Sequence, residues 1–209
     1  MKMKAGVLRG MGRRKLVPNI NEKIMIEVMK MTMKVGTGLV STKEIAKKLE
    51  ISEPVIFTHF KTKADLMNAT FLLACEPLKK DRIAEVALLK GKEVTFEDYK
   101  PALLWALSLK KETVYIHHYL ASSYYDAATV QKALAPFYDQ MRKVLLTYGP
   151  TRIQNEAETN FLLFTYFHNR TDILNAFIQG RYTPDDDLLS VAERYLTGAA
   201  FACLGIKRD

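Results

Sequence analysis

The chain has few cysteines, a single tryptophan and no long apolar run. Its two cysteines, Cys75 and Cys203, lie far apart without metal-ligand spacing. They read as two small buried hydrophobes in a protein of a reducing compartment. No stretch approaches the roughly 20 consecutive apolar residues of a membrane-spanning helix, so no membrane partner is expected. The N-terminus is basic but lacks the continuous apolar segment of a secretory signal. Gly-rich phosphate loops and nucleophile motifs are missing as well. His117-His118 is a side-by-side pair that a helix splays by about 100°, a poor two-ligand metal site. Asp185-Asp186-Asp187 lacks the spacing of a calcium loop. No catalytic residue, metal or cofactor is therefore predicted, and the chain does not read as an enzyme.

What is present is a helical, globular composition with an uneven charge. The 209 residues are 48% apolar and 26% charged, with a net charge of +8. Residues 1–63 carry 14 basic and 5 acidic side chains, whereas residues 64–209 carry 17 and 18. A basic head on a near-neutral body is the footprint of a dedicated nucleic-acid domain joined to something else. Residues 1–18, with Lys2, Lys4, Arg9, Arg13, Arg14 and Lys15 among Gly and Met, read as a basic flexible arm. It either follows phosphates or a minor groove, or is a solvated tail.

Helix signals punctuate the chain from there. Asn19 and Glu22 resemble a capping box, and Ile20, Ile24, Val28, Met31 and Val35 share one helical face up to Gly36. Ser41 with Glu44 is a second box, opening a helix over about 42–49. Ser52 and Pro54 open another over 53–60. The short link between them predicts helix-turn-helix geometry. Thr62 caps the next helix, which Pro77 ends or kinks within 76–82. Further helices are expected at about 81–90, 95–109, 112–124, 127–148, 152–179 and 184–204. Residues 161–167 and 198–204 are apolar nearly all round, so the last two helices should be buried on more than one side. No segment alternates like a strand, and the class predicted is all-α.

Ile45-Ala46, Leu49, Ile51-Ser52, Phe57, His59-Phe60, Lys63 and Leu66 resemble the helix-turn-helix signature of the TetR family of bacterial transcriptional repressors, over about residues 20–72. The resemblance implies a helix-turn-helix DNA-binding domain at 19–65 and a helical ligand-binding and dimerisation domain at 66–209. It implies a homodimer through the helices at about 152–179 and 184–204, bound to a palindromic double-stranded operator. A small apolar or aromatic effector would release the DNA, and the protein would work in the cytoplasm, associated with the nucleoid. The alternative is a helix-turn-helix protein governed by a protein partner, or an architectural one, with no small effector.

Carried over position by position, the resemblance places Thr42 and Lys43 at phosphate, and Glu53, Pro54 and Val55 at base edges. Thr58, His59 and Lys63 follow as phosphate contacts. Phe57 stands where the family usually has Tyr, and lacks a phenol to donate. Glu53 either accepts from a cytosine amine or is a first-turn helix charge. Glu50 replaces the usual turn glycine, which implies either strain or an altered turn. In the body, Trp105, His118, Tyr119 and His168 put polar tips among apolar neighbours and are the candidate effector-pocket residues.

Overall fold

The computed structural model describes residues 19–80, 96–148 and 156–203. Among these residues every regular element is a helix. In chain order they are α1 (Ile20–Val35), α2 (Thr42–Lys48), α3 (Glu53–His59), α4 (Lys63–Cys75), α5 (Phe96–Ser108), α6 (Lys110–Leu120), α7 (Ala127–Tyr148), α8 (Glu156–Ile178) and α9 (Asp186–Cys203). Short 3-10 turns occupy Thr37–Leu39 and Glu76–Lys80. The basic arm, the helix expected at 81–90 and the helix ends expected at 149–155 and 204 lie outside the described residues.

Local chemistry explains most of the boundaries. Asn19 accepts the Glu22 N–H at 2.9 Å, and Ser41 accepts the Glu44 N–H at 3.3 Å. At α4 the box is complete: Thr62 accepts from the Asp65 N–H, and the Asp65 carboxylate accepts from the Thr62 N–H. Ser52 differs, since its side chain caps no amide; its carbonyl instead accepts the Val55 N–H at 3.0 Å. Gly36 closes α1 at φ +73°, a conformation open to glycine. The expected helix over 112–124 stops early, at Leu120, because Ser122 redirects the backbone. Its hydroxyl donates to the Tyr119 carbonyl at 2.8 Å and accepts the Tyr124 N–H at 3.2 Å.

Helix α6 is the spine. It packs against α1 and α4 on one side and α8 on the other. Tyr115 is wholly buried and donates to the Met67 carbonyl at 2.8 Å. Tyr119 stacks on Phe71 with centroids 4.3 Å apart and donates to Asn68 Oδ1 at 2.7 Å. Burial pushes its phenol up to about 12. One apolar core runs without a break through Ile24, Ile56, Met67, Tyr119, Phe167 and Leu196, so the first and last helices share it. Cys75 lies in this core, where burial raises its thiol out of the reactive range.

Candidate nucleic-acid interface

The sequence writes α2 and α3 as short amphipathic helices, and their apolar faces fix the pair. Ile45, Ala46, Ile56 and Phe60 are buried with Ile24, Val28 and Val40. The turn between them is closed by Leu49 N–H to Ile45 O and Ile51 N–H to Ala46 O, both at 3.0 Å. Glu50 sits in that turn at φ +55°. Glu27 on α1, buried, receives Lys48 of α2 at 2.7 Å and Lys30 at 3.3 Å. Burial works to raise its carboxyl pKa, but the two lysines outweigh it and leave the group below its ordinary value. This pair ties α2 to α1 and engages one lysine of the basic surface.

With the apolar faces spent, Pro54, Phe57, Thr58 and His59 of α3 are exposed, and so are Lys43, Lys47 and Lys61. Val55 is half-buried. Thr58 already donates its hydroxyl to the Val55 carbonyl at 2.7 Å. Thr42 is buried rather than outward, and its hydroxyl donates to Glu53 Oε1 at 2.5 Å. Two side chains expected to face DNA thus bond to each other across the helix pair. Lys63 is half-buried, its ammonium 5.5 Å from the Tyr124 ring centroid on the α6–α7 loop. Tyr124 belongs to this surface through Lys63. It is 61 positions further along the chain, and no sequence signal joins the two.

The candidate effector residues do not come together. Trp105 lines a cavity of about 490 Å³ with Ile26, Met29, Leu73 and Glu112. His118 turns away from it, toward the head: its ring lies 3.5 Å from where a Cβ on Gly36 would stand, and its carbonyl accepts from Thr37 at 3.4 Å. Burial, with His117 alongside, holds its pKa below the usual histidine value. Tyr119 is core. His168 lies on α8 against Phe164, with ring centroids 3.9 Å apart. A helix turns neighbouring residues by about 100°, so His118 and Tyr119 cannot serve one wall, and the four do not form one pocket.

Residues 29–70 match the family described as bacterial regulatory proteins, tetR family. The helix-turn-helix head thus matches the TetR family of regulators. An uncharacterised HTH-type transcriptional regulator, YvkB of Bacillus subtilis, is 27% identical over 164 residues, covering 72% of this chain and 82% of that one. Among solved structures, a TetR-family protein of Shewanella has a TM-score of 0.61 at 14% identity, covering 90% of this chain and 97% of that one. The fatty acid degradation regulator FadR of Bacillus halodurans has a TM-score of 0.60 at 14% identity, covering 87% and 96%. At such identity the likeness is one of fold. It is the TetR architecture, with an N-terminal helix-turn-helix and a helical C-terminal body. Relatives of this family are regulators rather than enzymes, and no helix among the described residues is long and apolar enough to cross a membrane.

Proposed function

We propose that the protein is a repressor that binds a palindromic operator as a homodimer and leaves it when a small apolar or aromatic effector occupies the body. The observation that carries this reading is the α2–α3 pair, whose outward side bears Pro54, Phe57, Thr58 and His59 with Lys43, Lys47 and Lys61 around it. In this reading residues 19–65 are the reader, 66–209 the effector and dimer body, and 1–18 a basic arm, acting on the nucleoid in the cytoplasm. Thr42, Lys43, Glu53, Pro54, Val55, Phe57, Thr58, His59 and Lys63 form the DNA surface, with Glu53 and Thr42 buttressing its outward neighbours. The dimer is supported by large apolar side chains left in water on α8 and α9: Phe161 is 68% exposed, Val191 50% and Tyr195 55%. Rows of this kind mark association surfaces, and a two-fold pair of heads matches a palindrome.

Gel shift on duplexes selected from genomic fragments tests it. Affinity should fall steeply between about 50 and 200 mM salt, with a log–log slope near −0.9 per neutralised phosphate. A flat profile defeats the reading. Sequencing the bound fragments with and without a small-molecule cell extract tests the release, and unchanged occupancy removes the effector from it.

A further inference from the structure

We propose that the cavity around Trp105 takes an uncharged planar aromatic molecule, with the head helix α1 as one of its walls. The proposal deepens the effector half of the reading above and rests on it for its effect on DNA. The cavity holds about 490 Å³, within the range of small-ligand sites. Glu22, Ile26 and Met29 recur at i, i+4 and i+7, so one face of α1 lines it. The facing wall is body: Leu73 near the end of α4, Trp105 on α5 and Leu109 just ahead of α6. Among the described residues, none of those lining it belongs to α8 or α9, the helices of the proposed dimer surface.

The walls select the occupant. Ile26, Met29, Leu73 and Leu109 make them apolar, with the half-buried Trp105 alongside. An aromatic ring gains there by stacking on an indole and by contact with a thioether. The charged rim is balanced. Glu112 holds Lys111 at 2.6 Å and Glu76 holds Lys79 at 2.7 Å, while Glu22 and Lys80 add one charge of each sign. An ion entering such a site loses hydration and meets no net opposite charge in return. A neutral ring leaves both pairs intact. The position also bears on the reader. Glu27 follows Ile26, about 100° round the helix, and there α1 grips Lys48 of α2. Helix α1 thus has the cavity on one face and α2 on another, so an occupant that displaces α1 displaces α2 with it.

The test is calorimetric titration of the full-length protein with 2-naphthol, with 2-naphthoate and 2-naphthylmethylammonium as charged probes of like shape. One naphthol should bind per chain, saturably, with both ions at least tenfold weaker. Trp105 is the only tryptophan of the chain, so its indole N–H gives a single nitrogen-15 resonance, which should move along the same binding curve. Trp105→Leu should weaken naphthol at least tenfold. Ile26→Phe, which adds bulk to the α1 wall at a half-buried position, should do so severalfold, with thermal melts confirming that each variant folds. Several results would overturn the site: no saturable naphthol binding, a stationary Trp105 resonance, equal or tighter binding of either ion, or full affinity in Ile26→Phe. Saturating naphthol should also lower operator affinity at least threefold, and an unchanged affinity would overturn the coupling through α1. Operator binding without any probe judges the regulator reading separately. Salt-sensitive DNA binding without naphthol binding removes the site alone. Naphthol binding that moves Trp105, without DNA binding, removes the regulator reading alone.

Discussion

Glu50 holds φ +55° in the turn that sets α3 against α2. A side chain in the left-handed region crowds its own carbonyl, at a cost of roughly 1–2 kcal/mol that glycine avoids. The sequence marks this position, because a glutamate stands where the resembled signature has glycine, but it leaves strain and an altered turn equally open. The backbone decides for strain. Glu50→Gly should stabilise the protein by about 0.5–1 kcal/mol, since relief of strain is partly offset by the freer unfolded chain. For a chain of this size that is a rise of about 1–4 °C in Tm. Denaturant midpoints check it, and an unchanged or lower midpoint would show the turn to be unstrained. His118 and Tyr119 teach the opposite lesson about legibility. Their chemistry is plain in the sequence, but which neighbour each meets depends on the rotation of α6 within the core.

At the scale of elements, the angle between α2 and α3 is fastened at one end by the turn and at the other by Thr42 donating to Glu53. This clasp gives Glu53 a role other than base recognition. A carboxylate near phosphates repels them, so its retention suits a group that positions its neighbours. Glu53→Gln keeps an acceptor for Thr42 and removes the charge. It should leave the preferred sequence unchanged at every position in a selection experiment while tightening binding severalfold at low salt, uniformly across sequences. A changed base preference at one position would instead make Glu53 a reader. The starts of α1, α2 and α4 were legible because a cap is a contact over three residues. The end of α6 was not, because Ser122 takes hydrogen bonds that apolar periodicity cannot reveal.

Across the whole molecule, head and body are joined by contacts that span long stretches of chain. Thr37 meets His118, 81 positions away, and Lys63 meets Tyr124. The all-helical class could be read from local patterns. These meetings could not, because they follow from how α6 threads between α1, α4 and α8. Lys63 is the informative case. In the DNA surface proposed above its ammonium serves a phosphate, yet in the free protein it rests over a ring of the body. A partly exposed cation–π contact of this kind is worth about 0.5–1 kcal/mol. If binding DNA means leaving Tyr124, that energy opposes binding. Tyr124→Leu, which keeps the bulk and removes the ring's negative face, should then tighten operator binding about two- to fivefold. The gain should vanish in a Lys63→Ala background, as a double-mutant cycle by fluorescence anisotropy would show. Weaker binding in Tyr124→Leu would mean the reverse: the body holds Lys63 in place for the phosphate, and the loop carrying Tyr124 supports the DNA-bound state rather than the free one.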